Sequence, residues 1–417
     1  MDLLQMATAN QFKKTGETKK LSISGQINTN YDVYAIPLKH LYYNDQNGRI
    51  NTAYKKYRAE HGAIIPENGN SEYNKIFEQF IYDSNKQSLK DTLQSIKNKT
   101  QQEPGVVLPD GRVIDGNRRF TALRKYQEED GIPKEFNAVI LPLDTNCKAD
   151  EKIIKELELD LQLGREERVS YDPIDRIFDV YNTIEVEKLM TIEEYKKASG
   201  ARNTRGINRD IRLANLILKF IRIVSPEGDP IDKFYLARDL KLDGPIEEIE
   251  GTITKLKNNR ESITDAVLVH LAVLKSDSNQ KDSTRIMRDL KTNVLNNPDI
   301  LKHYVAAVDD KVDTIIEAFE DHPIHSSNDL KVVINRDEEL QKSVEKLKKS
   351  TDRLVYKGKN DSRRKRAISE LEHIRDNLEE ISVDDFSELT VDENLYAKDV
   401  LVEITDSLFK LKKDLKI

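Results

Sequence analysis

A glycine followed by two adjacent arginines lies between a short apolar segment and a helical pattern near residue 116. In the run Asp115-Gly116-Asn117-Arg118-Arg119, glycine allows positive φ, and the first amides of the following helix are unpaired donors. The two guanidinium groups add forked donors that match phosphate oxygens. At about 1.5–3 kcal/mol for each charge-assisted bond, the run predicts an anion cradle able to hold a nucleotide triphosphate. The alternative is a solvated helix terminus whose arginines pair with local acids.

A second basic segment, between residues 190 and 212, has the pattern of two helices joined by a turn. Thr191 and Glu194 have the spacing of a capping box, Gly200 is expected to end the first helix, and Thr204 is expected to cap the second. This pattern predicts a helix-turn-helix whose second helix enters the major groove of DNA. The alternative is a basic helical hairpin that packs against the acidic C-terminal half. The predicted DNA contacts are Arg202, Thr204, Arg205, Asn208, Arg209 and Arg212.

Composition limits the other function classes. The 417 residues carry a net charge of −7, so any contact with DNA must be local. The single cysteine, Cys147, and seven scattered histidines exclude an intramolecular disulfide and a structural zinc site. No apolar run reaches a membrane-spanning length, and the first 20 residues lack a signal-peptide pattern, so a cytoplasmic protein without membrane contact is expected.

Strand and helix patterns divide the chain unevenly. Apolar runs that end in turn signals predict strands between residues 31 and 143, mixed with helices, whereas helical periodicity dominates from residue 152 onward. The expected fold class is α+β, with a small α/β domain first and mainly helical domains after it. The predicted divisions are an arm or edge strand at 1–30, an α/β domain at 31–150, a helix-turn-helix domain at 151–224, a linker at 225–230, and a helical domain at 231–417 that could serve in dimerisation.

The order of these motifs resembles the N-terminal domain of ParB-type partition proteins, a fold shared with sulfiredoxin. In that family a strand with Ile-Pro leads to a polar loop that ends in arginine, as residues 36–49 do here. The family's Gly-Glu-Arg-Arg box, which cradles nucleotide phosphates, is matched by Gly116, Arg118 and Arg119. The resemblance covers about residues 31–224, and it includes the family's DNA-binding motif at 191–213.

The resemblance implies a homodimeric DNA-binding protein of plasmid or chromosome partition, or of gene regulation, in which bound CTP closes a clamp. It also implies Mg²⁺ and a possible partner ATPase. Asn117 replaces the family's usual glutamate, which puts slow CTP hydrolysis in question, and it replaces the catalytic cysteine of sulfiredoxin. The implied nucleotide-binding residues are Arg49, Gly116, Asn117, Arg118 and Arg119, and the nominated metal ligands are Asp115, Glu158 and Asp160.

Two other functions remain open at the level of sequence. ParB-like folds also occur in nucleases and NTPases of phage-defence or DNA-modification systems. A nuclease needs carboxylates that hold a divalent metal against the scissile phosphate, and Asp115 with Glu158 or Asp160 are the nearby acids. A third alternative is a transcriptional regulator that keeps the fold but binds no nucleotide.

Overall fold

A computed structural model of the chain describes residues 2–23, 26–163, 172–277, 282–387 and 389–416. The fold is α+β, with a mixed sheet in the N-terminal part and mainly helices beyond it. None of the helices in these ranges combines the length and apolar composition that a membrane span requires. The strands are β1 (Lys13–Ile23), β2 (Gln26–Pro37), β3 (Tyr42–Tyr43), β4 (Gly105–Val107), β5 (Arg112–Asp115) and β6 (Glu135–Ile140).

The helices follow the same chain order. In the N-terminal part they are α1 (Leu3–Thr8), α2 (Asn51–His61), α3 (Ser71–Ser84), α4 (Lys86–Lys99), α5 (Asn117–Asp130) and α6 (Lys148–Leu163). The middle part contains α7 (Pro173–Tyr181), α8 (Ile192–Ser199), α9 (Arg205–Val224), α10 (Tyr235–Asp239), α11 (Asp243–Lys255) and α12 (Arg260–Ser276). The last are α13 (Ser283–Leu290), α14 (Pro298–Asp321), α15 (Ser327–Ile334), α16 (Glu338–Glu380) and α17 (Val391–Asp414).

The sheet has the strand order β1-β2-β6-β4-β5-β3 and is covered by helices on both faces. Strand β6 runs parallel to β4 and antiparallel to β2, and β5 runs parallel to β3. Successive side chains of a strand point to opposite faces, so Val106 packs with α6 while Val107 packs with the aromatic side chains of α3 and α5. Strand β4 and the middle of β5 are therefore apolar, whereas the two ends of β5 carry Arg112 and Asp115.

The sequence predicts most of these N-terminal elements correctly. The strands near residues 106, 112 and 136 and the helices α3, α4 and α5 are confirmed. The arm proposed for 1–30 belongs instead to the domain, because Leu3 and Phe12 are buried in the core and Leu3 donates its amide to the carbonyl of Pro109. Strand β1 is the edge strand of the sheet, which explains its polar composition.

The proposed linker at 225–230 does not separate two domains. Contacts divide the chain into one unit of residues 1–352 and a second of residues 353–417. Ser225 is buried and accepts a hydrogen bond from Lys233, and the amide of Ile324 donates to the carbonyl of Val224. Helix α9 explains why the two sides of this segment form one unit. Its apolar side chains cover more than one face of the helix, and α7, α11, α12 and α14 pack against them.

Helix α2 joins the sheet-containing part of the first unit to its helical part. Lys55 pairs with Asp232 at 3.1 Å, and Lys56 pairs with Asp239 at 2.6 Å. Asp175 of α7 is buried and accepts a hydrogen bond from Thr52. These contacts follow directly after the loop at residues 44–50, so that loop is anchored on its C-terminal side.

The second unit consists of the C-terminal part of α16 together with α17. None of the residues described in α17 is buried. Apolar side chains on both helices are exposed, including Ile368, Leu371, Leu395 and Phe409. The sequence predicts a helical domain with a role in dimerisation here, and dimerisation stays a prediction.

The helical part of the first unit buries a histidine without hydrogen-bond partners. His270 lies on α12, and neither of its ring nitrogens contacts a donor or acceptor. Burial, with a smaller contribution from Lys348, lowers the pKa of His270 to about 4. The unfolded chain has a histidine pKa near 6.5, so protonation favours unfolding. The stability that the neutral ring permits is complete above pH 6.5 and is lost as the pH falls toward 4.

We predict that replacing His270 by leucine removes part of the acid sensitivity of the protein. Between pH 7.5 and 5, the wild type should lose about 2 kcal/mol more free energy of unfolding than His270→Leu, because each unit of pKa shift corresponds to about 1.4 kcal/mol. Urea unfolding at the two pH values measures this difference. His303→Leu, at an exposed position on α14, is the control and should keep the wild-type pH dependence. Equal losses in wild type and His270→Leu would contradict the prediction.

Candidate anion-binding pocket and helix pair

A pocket of about 500 Å³ opens where the N-terminus of α5 faces α4 and the loop at residues 44–50. One wall is cationic and carries Arg49, Arg118 and Arg119. The opposite wall is a polar face of α4 with Ser88, Thr92 and Ser95. The pocket therefore joins a cationic wall to a hydroxyl-bearing wall, and its lining includes Asp115, Gly116 and Asn117 from the run that the sequence singled out.

Gly116 shapes the cationic wall through its backbone. Its φ of 96° lies in the left-handed region, and α5 begins at the next residue. A Cβ atom at this position would lie 2.8 Å from the ring of Phe136 and 3.0 Å from the guanidinium of Arg119. The first amides of any α-helix lack an intrahelical partner, and Gly116 has no side chain that could cap those of α5. These donors and the helix dipole favour an anion at this end.

Arg118 is the exceptional member of the cationic wall. Within the described ranges it forms no hydrogen bond or ion pair with a side chain, whereas Arg119 pairs with Asp115 at 3.2 Å. Burial, and next the positive charges of Arg49 and Arg119, lower the pKa of Arg118 to about 10. The protein thus holds a half-buried guanidinium among like charges. An anion entering the pocket would relieve this repulsion.

Asp115 has a structural role beneath the pocket. Its carboxylate accepts a hydrogen bond from Lys19 at 3.2 Å and one from Arg119, and the side chain of Lys19 is only 7% exposed. Lys19 also donates to the carbonyl of Pro104. Strand β1 is therefore fixed to the ends of β4 and β5 by a buried ion pair, and Arg119 is fixed by the same carboxylate.

The three nominated metal ligands do not form one site. Asp115 lines the pocket described above, Glu158 lines a different and smaller one, and Asp160 is exposed on the surface of α6. Across the ranges that the structure describes, no group of three His, Cys, Asp or Glu side chains could hold a metal ion. These residues do not fit the Mg²⁺ site that the resemblance implies, and they give the nuclease alternative no support.

Loss of the Asp115 charge is expected to destabilise the fold. Asp115→Asn leaves the buried ammonium of Lys19 without its counter-charge, so the free energy of unfolding should fall by about 3 kcal/mol. Chemical denaturation measures the loss. Asp91→Asn, at an exposed position of the same pocket, should change it by less than about 0.5 kcal/mol. The double variant Lys19→Met with Asp115→Asn should recover part of the loss, and equal stability of the two single aspartate variants would refute this role.

The helix pair predicted between residues 190 and 212 is present as α8 and α9. The capping box of Thr191 and Glu194 is confirmed, and Gly200 ends α8 in the left-handed conformation. The expected cap by Thr204 is wrong, because its side chain makes no capping bond and Asn203 instead accepts the amide of Arg205 at 3.0 Å. Asparagine is at least as good an N-cap residue as threonine, and it lies one position earlier.

The six predicted DNA contacts separate into three groups. Arg209 pairs with Glu247 of α11 at 2.7 Å, and Arg212 pairs with the buried carboxylate of Glu250 on the same helix. These pairs hold α9 against α11, as the alternative of a packed basic hairpin requires. Thr204 and Asn208 are half-buried and are joined by a hydrogen bond between the Asn208 amide and the Thr204 carbonyl. The remaining two residues, Arg202 and Arg205, are exposed at the start of α9.

The polar wall on α4 is a feature that the sequence does not predict. Ser88, Thr92 and Ser95 recur at the helical spacing i, i+4, i+7, beside the buried apolar residues Leu89 and Ile96 of the same helix. A polar face of hydroxyl side chains usually faces solvent, so its pattern alone does not indicate a pocket. The signal needs the position of α5, which only the tertiary fold provides.

Comparisons with protein-family models, curated proteins and solved structures found no match to this chain.

Proposed function

We propose that the pocket at the start of α5 binds the phosphates of a nucleotide, and that the protein is a ParB-like DNA-binding protein. The observation that carries the first part is Arg118, a half-buried cation with two like-charged neighbours and no carboxylate partner within the described ranges. A buried cation is costly unless it is paired. A phosphate group between Arg118, Arg49 and the α5 amides would supply the missing charge.

The size and lining of the pocket agree with a nucleotide. Its volume of about 500 Å³ lies within the range of small-molecule sites. The arginines would hold the phosphates, and the hydroxyl and amide groups of Ser88, Ser95 and Gln102 offer hydrogen bonds to a sugar or base. Among nucleotides, CTP is the one that the resemblance to partition proteins implies.

We assign binding rather than hydrolysis to this site. Asn117 is buried, its side-chain oxygen has no hydrogen-bond partner, and an amide cannot accept a proton from water as a carboxylate can. The nominated acids do not assemble a metal site in the part of the chain described. The bound nucleotide would therefore act as an effector. The homodimer and the partner ATPase enter this proposal from the resemblance.

The DNA-binding part of the proposal rests on the start of α9. Arg202 and Arg205 are exposed there, and Gly206 beside them has open space around its Cα. A backbone could approach closely at such a site, and arginines match both phosphates and guanine edges. Arg209 and Arg212 would contribute little, because acids of α11 already neutralise them.

We predict that Arg118→Met weakens the binding of CTP by about tenfold to one hundredfold, as expected for one charge-assisted hydrogen-bonding group. The same change should leave the thermal stability of the nucleotide-free protein unchanged or higher, since it removes an uncompensated cation. Calorimetric titration with CTP and Mg²⁺ measures the first effect, and thermal unfolding measures the second.

Lys90→Met is the matched control, because Lys90 is an exposed cation of α4 outside the pocket. It removes the same charge and should bind CTP as the wild type does. Equal weakening by both changes would show a non-specific electrostatic effect. If the wild type binds neither CTP nor ATP at millimolar concentration, nucleotide binding is refuted and the regulator without nucleotide is favoured.

We predict that Arg202→Ala and Arg205→Ala weaken binding to duplex DNA and reduce the slope of log affinity against log salt by about one for each lost phosphate contact. Both should keep wild-type stability. Arg212→Ala should instead destabilise the protein, because it leaves Glu250 buried without its partner. Fluorescence anisotropy with genomic DNA fragments from 50 to 200 mM salt, beside urea unfolding, separates the two groups. Unchanged affinity in both exposed-arginine variants would contradict the assignment.

A further inference from the structure

A cluster of buried charges lies beside the loop that carries Arg49. Lys155 and Glu158 of α6 and Asp179 of α7 have side chains that are 11%, 3% and 4% exposed. Lys155 lies 2.5 Å from a carboxylate oxygen of Asp179 and 3.5 Å from one of Glu158. The second oxygen of Asp179 accepts the hydroxyl of Tyr195 at 3.1 Å. One lysine thus forms ion pairs with two carboxylates, and all three side chains are almost completely buried.

The other carboxylate oxygen of Glu158 reaches the loop itself. It accepts a hydrogen bond from the backbone amide of Gly48 at 3.2 Å. Within the loop, the side chain of Asn47 accepts the amide of Arg49, and that of Asn44 accepts the amide of Gln46. These local bonds fix the shape of the loop, and the bond from Gly48 fixes it to α6. Asn47 and Arg49, on either side of Gly48, both line the anion pocket.

We propose that Glu158 is a positioning residue that holds the loop through Gly48 so that Arg49 faces the anion in the pocket. This inference rests on the nucleotide-binding function proposed above and deepens it. Glu158 lines the smaller pocket and not the one lined by Arg118, so its effect on an anion there is indirect. Its effect on the bound anion must pass through the backbone of residues 47–49.

The energetics of the cluster agree with a positioning role. Replacement of a buried ion pair by apolar side chains is often neutral or stabilising, so such a cluster is weak evidence for stability. Its geometry does specify one arrangement, because Glu158 has one oxygen toward Lys155 and the other toward Gly48. Removal of Glu158 leaves Lys155 paired with Asp179, so the variant keeps a balanced pair and is expected to fold.

The test is a double-mutant cycle on the full chain with inorganic tripolyphosphate and CTP as probes. Glu158→Ala should weaken the binding of both probes by about tenfold in the wild-type background, the size of one lost charge-assisted bond at Arg49. In the Arg49→Ala background, Glu158→Ala should weaken the binding of both probes by less than about twofold, because the guanidinium that Glu158 positions is then absent. Glu158→Gln keeps an acceptor for the Gly48 amide and should restore most of the affinity.

Hydrogen exchange provides a second measurement that does not need a ligand. Glu158→Ala should speed exchange of the amides at 48 and 49, whereas Glu156→Ala, on the same helix and without a contact to the loop, should leave both exchange and binding unchanged. Additive effects of Glu158→Ala and Arg49→Ala, or unchanged exchange in Glu158→Ala, would overturn the proposal while nucleotide binding stands. Failure of the wild type to bind either probe would overturn the proposed function, and this inference with it.

Discussion

The uncompensated charge of Arg118 is the constraint on which the account of this protein depends. A guanidinium that is half removed from water beside two others raises the energy of the folded chain, and the rest of the pocket keeps that arrangement in place. Gly116 precedes α5 and offers no side chain to cap it, Asp115 holds Arg119, and Lys19 holds Asp115 to the edge strand. The rest of the fold thus holds together a site that lowers the stability of the protein until an anion binds. Functional sites commonly reduce stability in this manner.

The same local electrostatics explain how an acidic chain presents basic sites. The net charge of −7 is spread over a large surface, and acids neutralise arginines wherever these pack between helices, as Glu247 and Glu250 do for α9. Among the residues that the structure describes, Arg118 in the pocket and Arg202 and Arg205 at the start of α9 have no such acidic partner. Helix α2, tied to residues 232 and 239, joins the part that contains the sheet to the part that contains the helix pair.

Local patterns in the sequence predict what local physics decides. The strands around residues 106–140, the start of α5 at Gly116 and the capping box of α8 follow from turn residues, apolar alternation and caps within a few positions of one another. Local sequence patterns do not predict which residues pair when they are far apart along the chain. Nothing near Arg212 indicates Glu250, nothing near Asp115 indicates Lys19, and the polar first 30 residues do not reveal that Leu3 and Phe12 enter the core. Spacing along the chain likewise does not show that Asp115 and Glu158 line different pockets.

The most direct test is a crystal structure of the protein grown with CTP or a non-hydrolysable analogue of it. The account predicts phosphate oxygens within hydrogen-bonding distance of the Arg118 guanidinium and of the first amides of α5, with Arg49 on the same phosphates. A nucleotide bound elsewhere, or a phosphate-free pocket in which Arg118 pairs with a carboxylate of the protein, would contradict it.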